Sequence, residues 1–273
     1  MKSLRLSLIA ILLLGVASCK KSNSTQVSAN VSSSEALDMV SSSLSSNSNG
    51  AGTMATDAIT VAGTQSATLS SSSGAVILGG TEGSSRSLYR VVNPKALSCG
   101  DTKNDTVTRA SVSGAAIGYN YTSMYTFTLN CVNEIPDNLA GSSTFSGTYS
   151  GPFISSTYTG NTTFTVTGLA PSVESYTLNG TYVRNGDFQS KKNTSNQGTH
   201  TVNITVTNVT VSKSTKTITG GTATFSVSGN VPAKGSWSYS GTLTYNGDGT
   251  ANLTLSGTVY IINLGTGLYT IKS

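Results

Sequence analysis

The stretch that decides the fold is Trp237-Ser238-Tyr239-Ser240-Gly241-Thr242-Leu243-Thr244-Tyr245, followed by Asn246-Gly247-Asp248-Gly249 and then Thr250-Ala251-Asn252-Leu253-Thr254-Leu255. Trp237, Tyr239, Leu243 and Tyr245 fall on one parity, with Ser and Thr between them. Leu253, Leu255, Val259 and Ile261 do the same after the break. Apolar residues alternating with hydroxyls mark strands buried on one face only. Gly, Asn and Asp tolerate positive φ, so the four residues between them read as a hairpin turn that pairs the two strands antiparallel.

The same period runs through much of the chain. Phe164 and Val166 alternate with threonines, as do Val202, Ile204 and Val206, and Phe225 and Val227 alternate with serines. Ile117–Leu129, carrying Tyr119, Tyr121, Tyr125 and Phe127, is a long strand; Thr106–Ser113, Ala75–Leu78 and Ser87–Val92 are shorter ones. Asn185-Gly186 and Gly220-Gly221 read as further hairpin turns. A Gly-Thr pair recurs in Ser146-Gly147-Thr148, Asn179-Gly180-Thr181, Ser240-Gly241-Thr242 and Ser256-Gly257-Thr258, too irregularly for a solenoid. Glycine inside strands marks bulges or close backbone approach and permits strong curvature. The expectation is an all-β domain over 74–273. It is an antiparallel sheet of long hairpin-connected strands, arranged as a sandwich or a curved or closed barrel, with one short N-terminal helix. A transmembrane barrel shares the alternation, but the chain ends Tyr269-Thr270-Ile271-Lys272-Ser273 rather than on an aromatic.

Residues 19–73 read as a Ser-rich tether, with Ser41–Gly52 and Ser70–Gly74 as linkers. Within it a helix is expected near 34–45: serines precede it as caps, Glu35 and Asp38 sit early, and Leu37, Val40 and Leu44 share a face. Only 10% of the 273 residues are charged. The lysines and arginines are scattered, which argues against the clustered basic face that nucleic acid requires.

The first eighteen residues have the parts of an export signal: Lys2 and Arg5, the apolar run Leu6–Leu14, then small residues. The run is short of the roughly 20 residues that span a bilayer. Val16-Ala17-Ser18-Cys19 resembles the lipobox of bacterial lipoproteins. The resemblance implies cleavage of Ser18–Cys19, acylation of Cys19 (diacylglycerol on sulfur, palmitate-type chains) and a covalent hold on the membrane. It covers about the first 21 residues only. By the sorting rule of enteric bacteria, Lys20 in second place implies the outer membrane, so the expected address is the cell envelope.

With Cys19 acylated, Cys99 and Cys131 form an even pair in an oxidising compartment and are expected to form a disulfide. His200 stands alone between Thr199 and Thr201 and reads as a sheet-surface side chain, leaving no Ser-His-Asp set. There is no Gly-x-Ser-x-Gly elbow and no phosphate-binding glycine motif. No cofactor and no metal is expected, apart from a weak calcium reading at Asp101, Asn104 and Asp105, which equally form a solvated turn. Glu134, Asp137, Glu174, Asp187 and Asp248 all lie near turn signals, which speaks against a paired-carboxylate hydrolase. Asp105-Thr106-Val107 is similar to the Asp-Thr-aliphatic O-glycosylation acceptor of exported Bacteroidetes proteins, which implies Thr106 as a modified residue. The expected function is that of a non-enzymatic envelope lipoprotein with a structural, adhesive or surface-binding role. A lipocalin-like carrier of an apolar ligand is the alternative, and a hydrolase the third reading. The membrane, through Cys19, is the expected partner; the residues name no protein or glycan partner.

Overall fold

A computed structural model of the chain describes residues 31–66 and 97–273. Cys19, the expected export signal at 1–18, the expected linker Ser70–Gly74 and the strand candidates Ala75–Leu78 and Ser87–Val92 lie outside the described residues.

Helices α1 (Ser33–Leu44) and α2 (Ala51–Ser66) precede eleven strands: β1 (Thr102–Ala110), β2 (Gly118–Val132), β3 (Ile135–Ser150), β4 (Ile154–Thr167), β5 (Ser175–Ser190), β6 (Gln197–Ser212), β7 (Ile218–Val231), β8 (Gly235–Tyr245), β9 (Thr250–Leu255), β10 (Thr258–Asn263) and β11 (Tyr269–Ile271). They form a single antiparallel meander in sequence order. The sheet is curved and not closed: among the described residues β1 pairs only with β2, and β11 only with β10. Asn246–Gly249 does connect β8 to β9, as its residues require. Asn185-Gly186 and Gly220-Gly221 do not turn the chain; they lie within β5 and β7.

Their role emerges from register. Across the inner face, Tyr121, Gly147, Tyr158, Gly186, His200, Gly229 and Trp237 each stand directly opposite the next. Ring and glycine alternate from β2 to β8, so each ring lies over the bare backbone of its neighbours. Phe164 stands between Gly141 and Gly180, Phe145 faces Gly160, and Phe225 faces Gly241. The recurring Gly147, Gly180 and Gly241 are therefore seats for cross-strand aromatics, a known device for pinning register and bending a sheet.

The concave face is filled by the chain's own helices. Every residue of α1 from Glu35 to Leu44 is buried, as are Ala51, Met54, Ala55, Ala58, Ile59, Val61 and Ala62 of α2. Ser41–Gly52, expected as a linker, is the last turn of α1 and the tight turn into α2. The second helix was not expected at all. Its Ala, Gly and Thr content resembles linker composition, yet those small side chains make it thin enough to lie inside. Gly50 and Gly52 are needed where the turn folds back, since an added Cβ would fall 2.6 Å from the Ser45 carbonyl oxygen and 2.7 Å from that of Leu44. The turn is also held from the C-terminal end of the chain, where Ser46 N–H donates to Leu264 O (2.8 Å) and Ser45 Oγ to Gly265 O (2.8 Å).

Cys99 and Cys131 are disulfide-bonded, tying the loop before β1 to the end of β2. In the chain-entropy picture a loop of this size contributes about 3–4 kcal/mol. Replacing both cysteines by serine should lower unfolding stability by that order, measured by urea denaturation.

Glycine seating can be tested by a contrasting pair. A Cβ at Gly147 would sit 2.5 Å from Asn120 O and 2.6 Å from Tyr121 Cβ, whereas at Gly63 of α2 the nearest atom is Tyr176 Oη at 3.8 Å. Gly147→Ala should therefore destabilise by roughly 1–3 kcal/mol through overpacking. Gly63→Ala should stabilise by up to about 1 kcal/mol through helix propensity. Thermal unfolding of the two variants reads both signs.

Candidate functional site

Two polar surfaces set the chemistry of this domain, one sealed between helices and sheet and one facing out. Inside, α1 begins with a capping box: Ser32 Oγ accepts from Glu35 N–H (3.2 Å), and Ser32 N–H donates to the Glu35 carboxylate (2.7 Å). Burial pushes Glu35 up, but hydrogen bonds from Ser190, Ser32 and Asn196 more than offset this and hold it below the usual carboxylate range. Asp38 accepts from Tyr149 Oη (3.0 Å) and from the backbone N–H groups of Phe153 (3.1 Å) and Ile154 (3.0 Å). Its burial nonetheless raises it above the ordinary value.

Asp57 of α2 meets Arg109 of β1 in a forked pair, 2.6 and 3.1 Å, with Tyr121 Oη accepting from the same guanidinium at 3.2 Å. Burial pushes Arg109 down, but the Asp57 charge outweighs it, so Arg109 stays protonated. Arg184 is 1% exposed and has no carboxylate among its hydrogen-bond partners. It donates to Tyr182 Oη (2.8 Å), Ser42 Oγ (3.0 Å) and Ser48 O (2.7 Å), and its guanidinium carbon lies 4.0 Å from the Tyr158 ring centre. Carbonyls of the turn between α1 and α2 and an aromatic face thus supply the negative potential that an acid would elsewhere. The three buried carboxylates of the helices are all engaged in fixing those helices.

His200, expected on the surface, is 3% exposed and belongs to the inner ring-and-glycine row. It shares parity with Val202, Ile204 and Val206, which was the signal for burial. It meets Phe188 edge-on (6.2 Å between centroids), stands opposite Gly186, and leaves Nδ1 buried without a partner. Burial pushes its pKa down to about 3.

The remaining expected site residues lie apart from this interior. Thr106 is exposed on β1, opposite Met124. Asp101 accepts from Ser98 N–H (2.9 Å), Asn104 from Thr126 Oγ1 (2.8 Å), and Asp105 pairs with Lys103 at 3.6 Å. Asn104 and Asp105 are successive strand residues and face opposite ways. Among the described residues no group of three or more His, Cys, Asp or Glu is placed to hold a metal ion. Of the acids expected at turns, Glu134, Glu174 and Asp248 are there, whereas Asp137 and Asp187 lie in β3 and β5.

Outside, the sheet carries hydroxyls in register. Thr126, Ser142, Thr163, Thr181, Thr205, Thr224, Thr242 and Thr254 each stand opposite the next, forming one row across β2–β9. Cross-strand threonines bond directly, Thr163 to Thr181 at 2.8 Å and Thr108 to Thr122 at 3.0 Å. A shallow hollow of about 540 Å³ on β7 and β8 is lined by Ser226, Ser228, Ser238 and Ser240, with Ser256 at its side. This outward face carries hydroxyls at positions where a transmembrane barrel would present apolar side chains to lipid. It offers uncharged donors and acceptors in a repeating grid.

No protein family, curated protein or solved structure matches this chain.

The buried imidazole has a pH consequence. Because folding keeps His200 neutral below its ordinary 6.5, the unfolded chain binds the extra proton as acidity increases. Its contribution is complete above that value and is lost as pH falls toward about 3. Between pH 7 and pH 5 this costs about 2 kcal/mol. Asp38, shifted up, acts in the opposite sense. Comparing wild type with His200→Phe by urea unfolding at both pH values isolates the histidine: the variant should lack that loss.

Proposed function

We propose that the chain is a non-enzymatic bacterial envelope lipoprotein, held by acyl chains on Cys19, whose β domain works as a structural or adhesive surface module. The supporting observation is the division of the sheet: its concave face is filled by α1 and α2, and its convex face carries rows of uncharged hydroxyls. Recognition of anything else then falls to the outside. The inner cavity between Leu44, Ala51, Ala55, Leu178, Val206 and Leu264 is about 10 Å³, room for a single water at most. That is far below the roughly 300 Å³ or more of a small-molecule site, and it weighs against the carrier reading.

The address rests on the apolar run Leu6–Leu14 and on Val16-Ala17-Ser18-Cys19. More than one acyl chain gives stable anchoring where a single chain is marginal. Lys20 favours the outer membrane by the sorting rule already given. Thr106, exposed on the outer face, is accessible for O-glycosylation.

Metabolic labelling with a clickable fatty acid, followed by intact mass measurement, tests the anchor. Wild type should carry label on a chain beginning at Cys19, and Cys19→Ala should carry none. An unmodified Cys19 with the leader still attached would overturn the proposal. Proteolysis of intact cells then reads whether the domain is displayed outward, and the same mass spectrum reads a glycan on Thr106.

A further inference from the structure

The two ends of the sheet differ in charge. At one end lie the turns 151–153, 191–196 and 232–234, carrying Lys191, Lys192 and Lys234. Lys234 Nζ donates to Ser195 Oγ (2.7 Å) and Asn196 Oδ1 (2.8 Å), and Lys191 Nζ donates to Ser150 Oγ (2.9 Å), so these ammonium groups rest on neutral partners and join three neighbouring turns into one patch. Lys272 is exposed at the same end, its N–H bonded to Val259 O. The acids nearby are Glu35 and Asp38, both buried beneath the turns, and exposed Asp187 on the outer face of β5. The opposite end exposes Asp101, Glu134, Asp137, Glu174 and Asp248. Its cations are drawn back: Lys103 pairs with Asp105 at 3.6 Å, and Lys213 Nζ donates to Ala170 O and lies over the Tyr176 ring, with Lys216 beside it.

The chain comes into the domain at the lysine end. Tyr239 Oη donates to Val31 O (2.7 Å), and the α1 cap that follows is in contact with Ser190 and Asn196. Twelve peptide steps separate Val31 from Cys19, a reach of at most ~40 Å. A lipid on Cys19 would therefore hold this end, not the acidic one, next to the headgroups.

We propose that the end bearing Lys191, Lys192 and Lys234 rests on an anionic phospholipid headgroup surface, leaving the acidic end turned away from the membrane. The proposal depends on the anchor at Cys19. Each lysine close to an anionic surface is favoured about fivefold, so three give on the order of a hundredfold. That is weak for a free protein but ample for a tethered one, whose effective concentration at the surface is already high.

The test uses the purified full lipoprotein in phosphatidylcholine vesicles with and without phosphatidylglycerol. Lysines are acylated with an impermeant reagent and each site is read by mass spectrometry. With phosphatidylglycerol, labelling of Lys192 should slow about fivefold or more relative to Lys213, and salt should abolish the difference. Lys272 should lose its own protection in the combined Lys191→Gln, Lys192→Gln, Lys234→Gln variant. Equal protection of Lys192 and Lys213, or no effect of phosphatidylglycerol, overturns the proposal. Intact mass, taken first, reads the anchor separately. If no lipid is present, a histidine tag replacing residues 1–18 holds the chain on nickel-chelating lipid and the lysine ratio is read as before.

Discussion

The burial of a polar helical hairpin inside a curled sheet is the constraint on which everything else depends. Helices as rich in Ser, Thr, Asp and Glu as α1 and α2 do not ordinarily sit in a core, because each unsatisfied polar group there costs about 1–3 kcal/mol. Here the sheet supplies the partners. Tyr149 and the start of β4 hold Asp38, Arg109 holds Asp57, and Arg184 holds carbonyls of the turn between the two helices. Within the helices, Ser42 and Ser43 return their hydroxyls to Met39 O. These contacts fix the depth and rotation of the hairpin, which apolar packing of such small side chains would leave loosely defined.

The sheet is shaped to receive it. Its strands set rings beside glycines on the inside and Thr or Ser on the outside. Glycines opposite the rings let them lie flat against the neighbouring strand and leave space for the helices. The outer threonines, β-branched and hydroxylated, suit the pleat and bond across it. One periodic sequence thus produces both curvature and a hydroxyl grid.

Much of this was legible in the residues. The period of two from residue 117 onward, the turn at Asn246–Gly249 and the pairing of Cys99 with Cys131 could be read directly. What failed has physical reasons. Asn185-Gly186 has turn composition, yet the cross-strand need of Tyr158 and His200 for a bare neighbour overrides local preference. The turn between β2 and β3 uses Asn133 and Glu134 at positive φ without any glycine, so it carries no strong signal. His200 was misplaced because its threonine neighbours dominate the local reading, although its parity is that of the core. Helix α2 was missed because slenderness, not amphipathicity, fits it to its place. The amphipathic stripe of α1 was real but irrelevant, since both of its faces are covered. Arg184 gave no signal: a buried cation whose partners are carbonyls more than 130 positions away in sequence cannot be found from spacing.

The contact between Ser45–Asn47 and Leu264–Gly265 joins segments about 220 positions apart. The hairpin that fills the interior is made near the start of the chain, and the last strands that grip it are made at the end. During synthesis or export, α1 and α2 therefore emerge with nothing to pack against, and short isolated helices are marginal in water. Each meander pair can zip locally, but the interior is complete only when the C-terminal residues arrive. The domain must then cross its folding barrier late and as a unit, and a chain cut short by even its last few strands would leave its helices without their final clasp.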